Sequence, residues 1–402
     1  MSLRDILDRA EPHFSKGGKY ERWFVFYEMF DTMLYKPSSV TQSNAHVRDG
    51  IDLKRIMMTV WFCTFPALLF GLWNVGYQAN TQLLANPDLV GPDGWRGAIL
   101  SALTGFNPAS IWDNLVYGAV FYVPIFIVTY LCGFVWEGLF AWKRGHEVNE
   151  GFFVTGMLFT LILPAQIPLW QVALGISFGV VIAKEVFGGT GKNFLNPALT
   201  GRAFLYFAYP AQISGDSVWT AVDGYTGATA LSLAAQGGIE SVVAAGITWS
   251  NLFWGQVQGC IGEVSTFGIL LGGAFLLYSR IASWRIVAGV MIGMIAISTL
   301  LNMIGSDTNP MFNVPWYYHL VMGGFAFGMI FMATDPVSAS HTNAGRWVFG
   351  MFIGGMTVFI RCINPAFPEG IMLAILFSNL CAPLIDYFVM QANIKRRSLR
   401  NA

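Results

Sequence analysis

Long apolar runs separated by short polar stretches occupy most of the chain between residues 56 and 389. Several runs approach the ~20 residues that an α-helix needs to cross a bilayer. The pattern predicts ten membrane spans, numbered one to ten here, with Leu252–Cys260 as a candidate re-entrant segment before the sixth. In chain order the predicted spans are Ile56–Gln78, Asn114–Trp142, Gly151–Pro164, Leu169–Phe187, Pro197–Tyr209, Val264–Tyr278, Ile286–Met303, Tyr318–Ala333, Trp347–Cys362 and Pro368–Val389.

Composition strengthens the membrane interpretation. Hydrophobic residues make up 54% of the chain and charged residues 11%, whereas a soluble domain averages about 25% charged residues. A soluble protein of this size would need polar surface that this chain lacks. The formal net charge is zero, which argues against a nucleic-acid partner.

The cysteines give no sign of a metal site. They lie mostly within apolar runs and have no C-x-x-C spacing, so we expect small buried hydrophobic side chains and predict no metal ligand. The five are Cys63, Cys132, Cys260, Cys362 and Cys381.

Basic residues are concentrated in alternate loops, which sets the predicted orientation. Loops 210–249 and 304–317 contain none, and loop 79–112 contains only Arg96. The opposite side carries Lys54, Arg55, Lys143, Arg144, Lys184, Lys192, Arg280, Arg285, Arg346 and Lys395–Arg397. Both termini are therefore predicted to be cytoplasmic, and loop 210–249 to face outward. Arg361, at the outer end of span nine, is a mild exception.

A weak internal repeat relates the two halves. The tripeptide Asn-Pro-Ala at 196–198 recurs at 364–366, each time after a Trp-led, Gly-rich span. Spans three to five thus resemble spans eight to ten with opposite predicted orientation, which indicates an inverted repeat of the kind found in transporters. We therefore predict an all-α integral membrane protein with about ten transmembrane helices in two inverted five-helix repeats.

The predicted regions follow from this repeat. The N-terminal arm lacks the apolar stretch of a signal peptide and is expected to be partly helical around residues 20–35. The regions are a cytoplasmic N-terminal arm (1–55), a first five-helix repeat (56–212), an outward loop (213–249), a second five-helix repeat (250–390) and a basic cytoplasmic tail (391–402).

The most specific chemical signal is the heptapeptide Asp-Gly-Tyr-Thr-Gly-Ala-Thr at 223–229, in the outward loop. It matches the flavin attachment motif D-G-x-[ST]-G-A-T, whose last threonine is esterified to the phosphate of FMN by a transferase that uses FAD. The motif predicts covalent FMN on Thr229, with Thr226 as the alternative acceptor. A Gly-rich turn without chemistry is the structural alternative.

The other residues of the motif have physical roles in this prediction. Gly227 lets the segment enter an enzyme cleft, the small Ala228 leaves the neighbouring hydroxyl accessible, and Asp223 is placed to orient the segment. A hydroxyl is a poor nucleophile until a base or metal activates it, so the activating group is expected in the transferase.

Further segments resemble one known family. They are Lys19–Glu21, His46–Asp49, His146–Phe153 and Gly188–Ala198. With the heptapeptide, they make the chain similar to the B subunit of the sodium-translocating NADH:quinone reductases over essentially its whole length. The heptapeptide also occurs in the related D subunit of the Rnf electron-transport complexes, but the N-terminal arm favours the sodium pump.

The resemblance implies a function that composition does not. It implies covalent FMN on Thr229, non-covalent riboflavin within the spans, and a contribution to a ubiquinone site. The chain would pass electrons inside a six-subunit complex of the bacterial inner membrane, with the flavin loop on the periplasmic side. An NADH-oxidising flavoprotein partner would supply the electrons, and their flow would be coupled to outward Na⁺ movement.

A second site is predicted at the Gly-rich turn 188–196 between spans four and five. The turn is not a P-loop, because Asn193 follows Lys192 where that motif has Ser or Thr. A helix that starts at Pro197 directs free N–H groups at the turn. Asn193 and Asn196 offer donors and acceptors for an isoalloxazine edge, so with the resemblance they are the predicted riboflavin residues. Helix capping is the alternative.

An ion path is expected where the repeats meet. Val154, Met157 and Leu161 share one face of span three by their spacing. Phe327 and Phe331 share a face of the repeat-related span eight. These residues are candidates for an apolar constriction that opens to pass ions, and ordinary span packing is the alternative.

Ionisable residues within spans are functional candidates by default. We predict Glu137 as a quinone-side residue and Asp386 as a sodium-entry residue, with Asp335 also near a cytoplasmic span end. Lys184 and Glu185 are adjacent, so they project to different sides of a helix and need separate partners.

Two other functions remain open from the sequence. A solute channel of the same fold would explain the repeat but not the heptapeptide. An Rnf D-type subunit, coupled to ferredoxin and NAD, would explain both.

Overall fold

The computed structural model describes residues 3–24, 27, 31, 53–145, 148, 150–364 and 369–400, and the regular elements of these residues are helical. The helices are α1 (Leu3–Phe14), α2 (Leu53–Cys63), α3 (Phe65–Ala85), α4 (Gly94–Leu103), α5 (Ile111–Arg144), α6 (Gly151–Leu161), α7 (Leu169–Ala183), α8 (Pro197–Ala208), α9 (Pro210–Ile213), α10 (Ala230–Ala244), α11 (Trp249–Trp254), α12 (Thr266–Tyr278), α13 (Trp284–Ile304), α14 (Trp316–Val321), α15 (Phe325–Phe327) followed by a π-helical turn (Gly328–Met332), α16 (Asn343–Ile363) and α17 (Ile371–Ser398).

Six of the described segments are long and apolar enough to cross a bilayer, and they correspond to predicted spans one, two, four, seven, nine and ten. They are Arg55–Ala85, Ile111–Arg144, Leu169–Phe187, Trp284–Ile304, Asn343–Ile363 and Ile371–Ser398. The other four predicted spans are shorter helices: α6, α8, α12 and the broken segment from α14 to the π turn. The all-helical, multi-pass prediction is confirmed.

Local sequence sets where these helices start and stop. The Ser110 hydroxyl accepts the N–H of Asp113 at 3.2 Å and caps α5. The same helix ends at Gly145, whose φ of 69° is easily adopted only by glycine. Span one is divided at Thr64, because Pro66 in the first turn of α3 cannot continue the hydrogen bonding of α2.

Glycines allow the tightest packing, between α13 and α16. A Cβ added at Gly293 would lie 2.1 Å from the carbonyl oxygen of Met351, and one at Gly354 would lie 2.0 Å from that of Val290. The two backbones are therefore in direct contact, as is common where small residues face one another in membrane bundles.

The two halves pack in the same order. Helix α7 packs against α5 and α8, and α16 packs against α13 and α17. This agrees with the internal repeat, while the opposite orientation of the two copies stays a prediction. The second Asn-Pro-Ala copy falls partly outside the described residues, as do most of residues 20–35 and all of 46–49.

Two predicted spans need correction. Span three ends at Leu161 rather than Pro164, and eleven residues make about 16 Å of helix, half of the ~30 Å bilayer core. Span eight is not one helix, because Met322–Gly324 interrupts it with Gly323 at φ +62°. Each short helix leads into a non-helical segment, 162–168 or 333–342. The first is almost fully buried, whereas the second is only partly buried, with Pro336 and His341 exposed.

The outward loop is more structured than its polar sequence suggests. It contains α10, which is kinked at Gly237 and Gly238. The candidate re-entrant segment continues from α11 as the non-helical stretch 255–265, where the N–H of Gly262 donates to the Leu161 carbonyl at 2.8 Å. This stretch therefore reaches the end of the short helix α6.

Candidate functional site

The heptapeptide crosses from the surface into the protein. Asp223 and Thr226 are exposed, whereas Gly227 and Thr229 are half-buried. Thr229 directly precedes α10, and its Oγ accepts the N–H of Ser232 at 3.2 Å. This bond occupies only one lone pair of the hydroxyl, so its proton and second lone pair remain available.

Gly227 is held from both sides. Its N–H donates to the Asp216 carbonyl at 2.8 Å. The Gln258 amide, in the orientation that satisfies both its ends, donates to the carbonyls of Gly227 at 2.6 Å and Ala228 at 3.3 Å and accepts from Thr220 Oγ1 at 3.3 Å. A Cβ at position 227 would lie 2.3–2.7 Å from this amide, so a larger residue there would displace the end of the Gln258 side chain from its present contacts.

A cleft of about 320 Å³ opens beside Thr229. Its aromatic wall is formed by Tyr206 and Trp219, and Ser214, Ser232 and Gln236 contribute polar atoms. The volume falls within the 300–1,000 Å³ of ligand pockets, and aromatic walls with a few polar groups are typical of them. A flat flavin ring with polar edges fits such a cleft.

A buried ion cluster at this cleft was missed by the sequence reasoning. Arg202 pairs with Glu263 at 3.1 Å and with Glu369 at 2.8 Å. The side chains of Arg202 and Glu263 are 5% exposed, and that of Glu369 is 33% exposed. The sequence contains one indication of this cluster: Arg202 lies inside predicted span five, where a charged side chain must have partners.

The buried position of Arg361 explains why it departs from the charge pattern of the loops, and its contacts explain the break in span eight. It is fully buried and donates to the carbonyls of His319 and Met322, each at 2.8 Å. These carbonyls lie at the end of α14, where helical partners are missing. On the other side of the break, a Cβ at Gly324 would lie 2.7 Å from the Glu263 carboxyl carbon. Opposite charges thus flank the interruption.

Arg96, the single basic residue of loop 79–112, lies near the heptapeptide. Burial lowers the pKa of its guanidinium, and the Asp223 carboxylate partly offsets this. The guanidinium lies 4.6 Å from the ring centre of Phe121, and its Nε is buried without a hydrogen-bond partner among the described residues. The basic residue and the first residue of the motif are therefore electrostatically linked.

The predicted riboflavin residues line a second, inner cavity of about 80 Å³. Asn196 caps α8, because its Oδ1 accepts the N–H groups of Ala198 at 3.0 Å and Leu199 at 3.3 Å. Asn193 Nδ2 donates to the Leu195 carbonyl at 3.0 Å. The capping alternative therefore describes the observed contacts. The polar groups suit a flavin edge, but the volume is below that of ligand pockets, so the riboflavin assignment stays a prediction.

The structure brings part of the predicted constriction together. Val154 and Phe331 line the same inner cavity. Met157, Leu161 and Phe327 are each at most 1% exposed, and the rings of Phe327 and Phe331 lie 5.1 Å apart. These contacts agree with close packing, and ion passage stays a prediction.

The expected partners of Lys184 and Glu185 are present. Lys184 forms a buried ion pair with Glu137, and Arg144 pairs with Glu185 at 3.0 Å. Lys184 also lines the inner cavity. The pair connects Glu137 of α5 to the residue that directly follows α7, and the quinone role of Glu137 stays a prediction.

Asp386 is saturated with hydrogen bonds. Its carboxylate accepts from Ser340 Oγ at 2.7 Å, His341 N at 2.8 Å, Thr342 N at 3.0 Å and Thr342 Oγ1 at 2.6 Å. It fastens the segment before α16 to α17. A sodium ion here would have to replace some of these donors, so the sodium-entry role stays a prediction.

Comparisons with known proteins agree on one family. The NQR2, RnfD, RnfE family matches residues 40–395. A protein of Stutzerimonas stutzeri (strain A1501) is 68% identical, and one of Azotobacter vinelandii (strain DJ) is 67% identical, both over 402 residues and the full length of both chains. A protein of Chromohalobacter salexigens is 64% identical over this whole chain and 97% of its own. All three are named as the B subunit of a Na(+)-translocating NADH-quinone reductase, which confirms the resemblance noted in the sequence.

Proposed function

The chain belongs to the NQR2, RnfD, RnfE family, and from this premise we propose that it is the membrane-embedded B subunit of a bacterial sodium-translocating NADH:quinone reductase. In this function it carries electrons within a complex whose NADH-oxidising flavoprotein is a separate subunit. The electrons pass to ubiquinone, and their transfer is coupled to outward Na⁺ movement.

The observation that carries the proposal is the position of Thr229. The last threonine of the heptapeptide lines a cleft of flavin size, and its hydroxyl has a free lone pair. Bound FMN would supply transfer of one or two electrons. Thr229 would hold it by a phosphoester, Trp219 and Tyr206 would face its ring, and Ser214 and Gln236 would meet its polar edges.

We place the remaining functions on the cytoplasmic half. Asn193 and Asn196 would bind riboflavin once the helices around the inner cavity separate. Glu137 would lie near ubiquinone, and Asp386 would receive Na⁺. These roles are supported by the resemblance and by the intramembrane position of the side chains.

The covalent bond can be tested directly. The complex is expressed with its flavin transferase, the subunits are separated under denaturing conditions, and flavin fluorescence is recorded in the gel. Thr229→Val should abolish the fluorescence of this chain, because the acceptor oxygen is removed. Thr226→Val is the matched control and should retain it.

Mass spectrometry of the peptide containing 223–229 locates the added mass. A wild-type peptide without added FMN mass would overturn the proposal. So would fluorescence that depends on Thr226 but not on Thr229.

A further inference from the structure

The flavin-acceptor segment Gly227–Thr229 is docked against the membrane bundle through one side chain from a distant part of the chain. We propose that Gln258 is the positioning residue that fixes this segment in a docked form, and that the transferase modifies an undocked form. The inference rests on the proposed function, since it concerns how Thr229 receives and then holds its flavin.

The docked segment has few free groups. The N–H of Gly227 is bonded to Asp216, and the carbonyls of Gly227 and Ala228 are bonded to Gln258. Thr229 lines the cleft, and its Oγ accepts the N–H of Ser232. An enzyme that reads these residues and reaches this hydroxyl needs the same atoms, so it competes with the docking contacts.

Gln258 is itself held firmly, which makes it a support rather than a mobile contact. It belongs to the non-helical stretch 255–265. Asn74 Nδ2 donates to the Val257 carbonyl at 2.7 Å, and Gly262 N–H donates to the Leu161 carbonyl at 2.8 Å. The stretch is therefore tied to α3 and α6, and Gln258 transfers that rigidity to the acceptor segment.

The modification step defines what undocking must expose. The Thr229 oxygen attacks the FMN-side phosphorus of FAD, the pyrophosphate P–O bond breaks, and AMP leaves. The hydroxyl proton passes to a base of the transferase. This in-line reaction requires the transferase to hold FAD and the segment together, and the bonds from Gln258 to the Gly227 and Ala228 carbonyls must be released for the enzyme to bind the segment.

The test uses the whole complex isolated from cells without the transferase. Purified transferase and FAD are added, and the initial rate of covalent flavin attachment is measured by in-gel fluorescence. Gln258→Met keeps the length of the side chain but removes both donated hydrogen bonds, so the undocked fraction and the attachment rate should rise roughly tenfold. Gln256→Met is the matched control, because Gln256 is exposed and two residues away, and it should attach flavin at the wild-type rate.

A second readout examines the loaded complex. Iodide should quench the flavin of Gln258→Met more strongly than that of the wild type, because the docked form is less populated. Thr220→Val removes only the contact that orients the Gln258 amide, so it should shift both readouts in the same direction by a smaller factor and remains available if Gln258→Met does not assemble.

Attachment to Gln258→Met at or below the wild-type rate, with unchanged iodide quenching, would overturn the inference. The proposed function fails differently, because the wild-type chain would then accept no flavin under any condition.

Discussion

The cleft beside Thr229, here the outer cleft, and the inner cavity around Asn193 and Asn196 are two candidate flavin sites that differ in size and in their charged groups. The outer cleft is already of ligand size, about 320 Å³, and Arg202, Asp216 and Glu369 are the charged residues of its lining. The inner cavity encloses about 80 Å³, and its two asparagines are occupied by local backbone contacts. A covalent ligand needs an accessible acceptor, whereas a non-covalent ligand in the bundle needs the helices to part.

The difference also concerns charge balance. In the Arg202 cluster one guanidinium pairs with two carboxylates, whereas near the inner cavity Glu137 and Glu185 each have a cation of their own. A buried carboxylate that loses its cation is strongly destabilising. The stability of the outer site should therefore be more sensitive to the loss of its single cation, Arg202, than the stability of the inner site is to the loss of either of its two cations.

The largest effect is expected at Arg202. Arg202→Met leaves Glu263 buried without its cation and should lower the stability of the complex by about 4 kcal/mol. The thermal unfolding midpoint of the detergent-purified complex measures this. Lys184→Met, which strands only Glu137, is the inner counterpart and should cost less. Equal losses in the two variants would contradict the contrast between the sites.

Phe331→Ala should enlarge the inner cavity. Phe331 is 3% exposed, and removal of its ring should cost about 3 kcal/mol. If it belongs to the ion constriction, liposomes that contain the variant complex should leak Na⁺ without any electron donor. Phe359→Ala, at a partly exposed position of α16, is the control. A leak-free Phe331→Ala complex would remove this residue from the ion path.

Two substitutions at Asn196 distinguish a helix-capping role from a ligand-binding role. Asn196→Ala should destabilise the complex by about 1 kcal/mol, because α8 loses its cap. Asn196→Asp keeps an acceptor for the cap but has no amide donor. Riboflavin content that falls in both variants supports a ligand role, and content that follows stability alone supports the cap.

The smallest effect is expected at Asp335, which lines the inner cavity. Burial raises the pKa of its carboxyl, and hydrogen bonds from Ser338 and Val337 partly offset this. The folded state thus favours the protonated form, so its contribution to stability is present at pH below the ordinary aspartate value and is lost as pH rises through the raised pKa. Asp335→Asn should be more stable than wild type at neutral pH by less than about 1 kcal/mol. Thermal unfolding measured between pH 7 and pH 4 should show the stability difference between Asp335→Asn and the wild type decreasing as the pH falls. A difference that stays constant over this range would exclude titration of Asp335 as its cause.

The six long spans were predictable because apolar length is a local property of the sequence. Helix α8 begins at Pro197 as expected, since Asn196 and Pro197 form a recognisable helix start. The interruption of span eight was not predictable from its own residues. Arg361 and Glu263, which flank it, are separated from Gly323 by long stretches of chain.

The site was predictable to a similar degree. Thr229 followed from a contiguous motif, whereas the Arg202 pairs join residues 61 and 167 positions apart. The rule that buried charges have partners required such pairs but could not identify them. The same limit applied to Gln258, whose role depends on a fold-level contact with the motif.

Helix α17 is longer than a bilayer core is thick. Its 28 residues measure about 42 Å, against ~30 Å for the core, so its basic end around Lys395 extends beyond the core on the side that the charge pattern predicts to be cytoplasmic. Asp386 lies on the same rod, about 14 Å from Lys395. Residues 340–342 are hydrogen-bonded to Asp386. A neighbouring subunit that shifts the exposed end of α17 along the helix axis would therefore also shift these residues, so α17 would couple movements outside the bilayer to movements within it.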